Sequence, residues 1–179
     1  LAGLHNAINA AAAAAVATAL NVTPELIRAG LGNTQPVGGR LRAVEGRDGL
    51  RVFDDSYNAN PSSVLAAAQF LGTQSGEGWL VLGDMAELGE AVDDFHYKIG
   101  IAVRESGVAR LFATGQRAQH AAEGFGDGGF WFETVDALIG GLQDAVPADR
   151  SIDVLVKGSR SMRMEQVVRA LTADDGGEG

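Results

Sequence analysis

Four short, unbroken apolar runs, each set off by apolar residues at helical spacing, constrain this chain more than any other feature. The runs are Trp79 to Leu82, Leu111 to Ala113, Phe130 to Phe132 and Ile152 to Val156. A continuous apolar run, rather than an alternating one, is expected of a strand covered on both faces. Helical patterns separate and follow them: Phe95/Ile99/Ala102/Val103, Ala118 to Ala122, Val135/Leu138/Ile139/Leu142 and Met164/Val167/Val168/Leu171. Strand–helix alternation of this length predicts an α/β fold with a Rossmann-like, doubly wound, mostly parallel sheet. Upstream, Leu41, Ala43 and Val44, then Gly46-Arg47-Asp48-Gly49, then Leu50 to Phe53 predict a β-hairpin.

The first forty residues read differently. His5 to Leu20 is nearly all Ala, with Ile8, Val16 and Leu20 as its larger apolar groups, a strong helix former packed closely against something. Thr23 and Pro24 open a second helix through Leu31, which Gly30 and Gly32 are expected to end. Gly38-Gly39 is then the candidate domain boundary. The expected division is a helical piece over 1–37, an α/β domain over 38–172, and an acidic, Gly-rich, disordered tail over 173–179. The chain begins at Leu1 inside the Ala-rich helix, with no charged leader before it, and is expected to be a piece of a longer protein.

Bulk properties exclude some classes. With 46% hydrophobic residues and no long uncharged apolar stretch, a soluble protein without a membrane-spanning helix is expected. No residue is Cys, so disulfides and thiolate metal sites are excluded. A net charge of −9 disfavours a non-specific nucleic-acid binder, although a nucleotide site needs few cations and remains open.

The polar residues gather where chemistry is expected. Asp54-Asp55-Ser56-Tyr57-Asn58-Ala59-Asn60-Pro61 joins an apolar run to a helix that Asn60 would cap and Pro61 would start, with Val64, Leu65, Ala68 and Leu71 on its core face. Strand-to-helix loops hold the ligand sites of α/β folds, while Asx side chains serving their own backbone are the plainer alternative. Gly83-Asp84-Met85-Ala86-Glu87-Leu88-Gly89 follows the next strand, with His96 beyond it. Lys157-Gly158-Ser159-Arg160-Ser161 follows the last strand and is expected to open the last helix, where an anion such as a carboxylate would be held. Alternatively, Ser159 or Ser161 is an ordinary N-cap. The two lysines, Lys98 and Lys157, precede Ile99 and Gly158, so there is no Gly-Lys-Ser/Thr phosphate loop. Gly124, Gly126 and Gly129 have dinucleotide spacing but follow a helix and precede a strand, and read as a loop. The three His are far apart and supply no metal site, His120 reading as a surface helix residue, and no nucleophile elbow is present.

Asp-Asp-Ser-Tyr-Asn-Ala-Asn-Pro at 54–61, Leu-Gly-Asp-Met-Ala-Glu-Leu-Gly at 82–89, Val-Lys-Gly-Ser-Arg at 156–160 and the following Met164-Glu165 together resemble the C-terminal domain of the Mur ligase family. The similarity runs from about Leu4 to Leu171, with His5, Asn6 and Asn9 like the helix that ends the family's central ATPase domain. The resemblance implies a cytoplasmic, monomeric, three-domain enzyme that joins D-Ala-D-Ala to UDP-N-acetylmuramoyl-tripeptide, using ATP and Mg2+, through an acyl phosphate. It implies Asn9 near the adenine, Arg40 on the ATP phosphates, Asp55 on the ribose, and Tyr57, Asn58 and Asn60 completing the nucleotide side. Asp84, Glu87, Lys157, Ser159 and Arg160 would face D-Ala-D-Ala, Arg160 because its planar fork suits a carboxylate. No catalytic residue is assigned. The phosphate loop and the main magnesium ligands would lie in other domains, so the chain by itself is expected to be inactive. Rival readings are another Mur ligase, a folylpolyglutamate synthetase domain, or a non-enzymatic α/β module that binds a nucleotide or small anion.

Overall fold

A computed structural model of the chain describes residues 4–34, 38–86, 92–147 and 151–172. It contains two compact units, Leu1–Val37 and Gly38–Gly179. The first is a helix pair, α1 (Leu4–Ala19) and α2 (Pro24–Gly32). Pro24 stands in the first turn of α2, but Thr23 makes no side-chain cap, and the helix runs past Gly30 to Gly32 before Asn33 closes it. No residue of 6–34 is buried, and Ile8, Val16, Leu20 and Leu26 are more than half exposed. By themselves the described residues of this unit form no buried core.

The second unit is a six-stranded sheet in the order β1-β2-β6-β3-β4-β5. Its strands are β1 (Arg42–Glu45), β2 (Arg51–Asp55), β3 (Glu77–Gly83), β4 (Arg110–Thr114), β5 (Gly129–Phe132) and β6 (Ile152–Lys157). β1 and β2 form the antiparallel hairpin, turning through a 3₁₀ segment at Arg47–Gly49. Every other pairing is parallel. The helices are α3 (Pro61–Gly72), α4 (Val92–Glu105), α5 (Ala118–Phe125), α6 (Val135–Ala145) and α7 (Glu165–Leu171).

Strand periodicity sorts the core into two layers. Phe53, Leu80, Leu82, Leu111 and Leu155 pack with α3, α4 and α5 on one face. Their neighbours Val52, Trp79, Val81, Phe112, Val154 and Val156 pack with α6 and α7 on the other. Successive side chains of a strand point to opposite faces, so an unbroken apolar run fills both layers. Each fully buried Leu or Val removes enough apolar surface from water to contribute about 1.5–3 kcal/mol. The doubly wound expectation holds.

Four local expectations need correction. β5 is an edge strand bonded to β4 alone, and Phe130 and Trp131 are 42% and 39% exposed rather than covered on both faces. On α4 the inward face is His96, Ile99, Gly100 and Val103, and Phe95 is turned out at 42% exposure. In α3 Ala67 rather than Leu65 completes the buried face. Gly124 lies inside α5, not in a loop, and a Cβ there would come 2.0 Å from the Tyr97 carbonyl oxygen, so its hydrogen side chain is what lets α4 and α5 approach. The expected tail over 173–179 lies outside the described residues.

Candidate functional site

β2, β6 and β3 are adjacent and parallel, so the loops that leave their carboxyl ends share one edge of the sheet. That edge is where open α/β sheets form ligand crevices. The first loop ends as its sequence demands: Asn60 caps α3 by accepting from the Ser63 N–H at 2.9 Å, Ser63 returns a bond to the Asn60 N–H, and Pro61 occupies the first turn. The Asn60 side-chain oxygen also accepts from the Ser62 hydroxyl at 2.9 Å. Asn58 is exposed and its side-chain oxygen accepts from the Ala59 N–H at 2.9 Å. For both Asn side chains the plainer, backbone-serving role is therefore present.

The two carboxylates at the end of β2 reach back to the segment before β1. Asp54 accepts from the Gly39 N–H at 2.9 Å and, with its other oxygen, from the Ser56 N–H and hydroxyl at 3.2 and 2.6 Å. Asp55 accepts from the Leu41 N–H at 3.1 Å and from the Lys157 ammonium at 2.6 Å. Gly39 and Leu41 are both left-handed, with φ of 75° and 53°. A Cβ on Gly39 would sit 2.9 Å from the Tyr57 nitrogen, which donates to the Gly39 carbonyl at 3.0 Å. Between these two residues Arg40 is exposed and lays its guanidinium 4.8 Å from the centre of the exposed Tyr57 ring.

Lys157 is enclosed between β2 and the first loop. Its side chain is 4% exposed, and it donates to Asp55 on β2 and to the Asn58 carbonyl at 2.9 Å. A residue assigned to the dipeptide side thus pairs with one assigned to the nucleotide side. Asp84 accepts from the Arg117 and Ala118 N–H groups at 3.0 and 2.7 Å and so serves the start of α5. The carbonyl of Asp84 accepts from the Ser159 N–H at 2.9 Å, which ties the second and third loops together. Buried Ser159 shares a 3.1 Å hydroxyl contact with Ser161. Arg160 is mostly exposed, with a 3.3 Å contact to Glu165. The loop does not open the last helix directly: a 3₁₀ turn at Arg160–Met162 and a left-handed Arg163 intervene before α7. Anion binding at an α-helix N-terminus is therefore not what Gly158 and Ser159 offer.

Arg160 meets the first loop instead. A cleft of about 380 Å³ is lined by Gly39, Asp54, Ser56, Tyr57, Arg160 and Glu165. Asn9 is exposed on α1, in the other unit, and Glu87 lies outside the described residues. His96, fully buried, accepts the Met85 N–H at 3.0 Å and steadies the start of the second loop. Sequence reasoning gave no role to Asp54, and its place next to Asp55 was the available signal. Among the described residues no three His, Asp or Glu side chains converge as a metal ion requires, so Mg2+ is assigned no residue here.

The sequence pattern of the Mur ligase, glutamate ligase domain matches residues 39–160. The chain belongs to the Mur ligase family. UDP-N-acetylmuramoyl-tripeptide–D-alanyl-D-alanine ligase of Escherichia coli K12 is 42% identical over 171 residues, which are 96% of this chain and 38% of that protein. The crystal structure of MurF from Acinetobacter baumannii superposes with a TM-score of 0.87 at 37% identity, covering 94% of this chain and 37% of that one. A folylpolyglutamate synthase of Mycobacterium tuberculosis, solved with ADP and AMPPCP, gives 0.68 at 25% identity over 95% of this chain and 41% of that one. This Mur ligase chain thus spans under two-fifths of the length of the E. coli relative, at 38%. The folylpolyglutamate synthase shares the fold with lower identity, which sets that rival reading behind.

Proposed function

We propose that this chain is the C-terminal domain, with the end of the central domain, of a cytoplasmic, monomeric ligase that joins D-Ala-D-Ala to UDP-N-acetylmuramoyl-tripeptide. The reading rests on one observation: the UDP-N-acetylmuramoyl-tripeptide–D-alanyl-D-alanine ligase of E. coli is 42% identical across 96% of the chain. In this reading the tripeptide carboxylate takes the γ-phosphoryl group of ATP, with ADP leaving, to give an acyl phosphate. The dipeptide amine then attacks the acyl carbon and inorganic phosphate leaves, and Mg2+, held by residues outside this chain, would neutralise phosphate charge. Such chemistry depends on positioning and charge stabilisation. Arg40, held over Tyr57, is suited to the ATP phosphates. Asp55 can still accept a ribose hydroxyl, because each carboxylate oxygen has a second lone pair. Arg160 is the cation best exposed for the acceptor carboxylate, and Ser159 and Asp84 shape the loop from which it extends. Lys157, being buried against Asp55, is given a supporting role. Asn9 is assigned to the adenine, and Asn58, Asn60 and Glu87 to the rims of the two subsites.

The test is phosphate release and product formation by the full-length protein that carries this chain, with D-Ala-D-Ala or single amino acids as acceptor. Turnover with the dipeptide and none with glutamate is expected. The reverse preference would overturn the reading. The 179-residue chain alone, having no Gly-Lys-Ser/Thr motif, is expected to release no phosphate.

A further inference from the structure

We propose that Lys157 is a positioning residue for Arg40, acting through Asp55 and the backbone of Leu41, and not a ligand of the acceptor dipeptide; the proposal rests on the nucleotide reading of Arg40 given above. Arg40 stands between two left-handed residues whose N–H groups are taken by consecutive carboxylates, Gly39 by Asp54 and Leu41 by Asp55. Left-handed backbone is disfavoured for a leucine and persists only where its surroundings hold it. Here the Leu41 side chain is locked in the core with Phe53 and Ala59, and its N–H is held by Asp55. Asp55 is itself mostly buried, its side chain 18% exposed, and burying a carboxylate is costly unless it is paired and hydrogen-bonded. Lys157 supplies its ion pair at 2.6 Å, and a second bond to the Asn58 carbonyl fixes the ammonium in place. The chain of contacts therefore runs from β6 through Asp55 and Leu41 to the residue that carries the guanidinium. Tyr57 closes the bracket, donating its N–H to Gly39 and offering its ring to Arg40.

The test combines Lys157→Met with the charge-balanced double variant Asp55→Asn/Lys157→Met. In the full-length protein, Lys157→Met is expected to raise the KM for ATP about tenfold, the loss typical of one charge-assisted contact, with the KM for D-Ala-D-Ala little changed. In the 179-residue chain, nuclear magnetic resonance reads the bracket without any turnover. The Arg40 side-chain protons are expected to lose the ring-current shift that Tyr57 imposes, and the Leu41 amide to exchange faster. The double variant should recover the Leu41 protection and the Arg40 shift, because the Asn oxygen still accepts the Leu41 N–H and a neutral amide does not need the Lys157 cation. A raised KM for the dipeptide with the Arg40 signals unmoved would overturn the proposal and make Lys157 a substrate ligand. A folded double variant with Arg40 still displaced would overturn it too. If Arg40 and Leu41 respond as described but the full-length protein makes no use of ATP, the bracket stands and the ligase reading falls.

Discussion

Strands β2 and β6 carry an oppositely charged, directly registered pair at each end, with the signs exchanged: Arg51 faces Asp153 at the amino end, and Asp55 faces Lys157 at the carboxyl end. The two pairs are built to different purposes. At the amino end the carboxylate is buried and the cation is not, with side chains 1% and 45% exposed. Arg51 reaches Asp153 with two nitrogens at 2.8 and 2.7 Å, and those hydrogen bonds hold its guanidinium above its ordinary range. Asp153 also accepts the Gly76 N–H at 3.0 Å and Arg51 donates to the Gln74 side chain at 3.3 Å, so this pair fixes the turn into β3. At the carboxyl end both partners are largely covered, and the contacts continue to Leu41, Asn58 and the exposed Arg40–Tyr57 pair. Similar cross-strand chemistry serves as a fastener at one end and as a support for the exposed Arg40–Tyr57 pair at the other.

Both tryptophans, Trp79 and Trp131, lie in the second unit, so fluorescence-detected urea unfolding follows that unit and can set the two ends against each other. The largest effect is expected from Lys157→Met, which leaves a covered carboxylate without its cation; about 3 kcal/mol should be lost from unfolding. Arg51→Met should cost less, about 2 kcal/mol, because the lost cation was half in water, whereas Lys157 is enclosed. It should leave the KM for ATP unchanged in the full-length protein, and a rise there would break the distinction drawn between the ends. Gly39→Ala should cost about 1–2 kcal/mol, from the left-handed backbone and the close Tyr57 nitrogen, and should also weaken nucleotide use. Tyr57→Leu is the mildest: about 0.5–1 kcal/mol for an exposed cation–π contact. Its unfolding midpoint should hardly move while the Arg40 side-chain resonances lose their ring-current shift.

Much of the fold was legible because it depends on local pattern. Unbroken apolar runs predicted strands covered on both sides, and Val52/Phe53, Trp79 to Leu82 and Val154 to Val156 divide between the two layers as strand geometry requires. Asn60-Pro61 announced the start of α3, since a cap and a ring-fixed φ act within a few residues. The exposure of Phe130 and Trp131 was not legible, because an apolar run does not say whether its strand will stand at the edge. Nor was the outward turn of Phe95, since His96 fills the inward position and a buried, hydrogen-bonded His carries no apolar signal.

The candidate site divides along the same line. Its loops were found because strand-to-helix junctions announce themselves in polar and capping residues. The roles of the side chains within them were not, because partnership depends on which strands become neighbours. β6 inserts between β2 and β3, and that order brings Lys157 to Asp55 across 102 positions of sequence. The sequence by itself determined the alternation of strands and helices, the hairpin, the capped start of α3 and the family. The tertiary structure alone decided that Asp54 and Asp55 hold the backbone around Arg40, that Asp84 serves α5, and that Lys157 is enclosed. Apolar periodicity and capping are properties of a few adjacent residues, whereas the partner of a buried charge is chosen by the packing that excludes water from it.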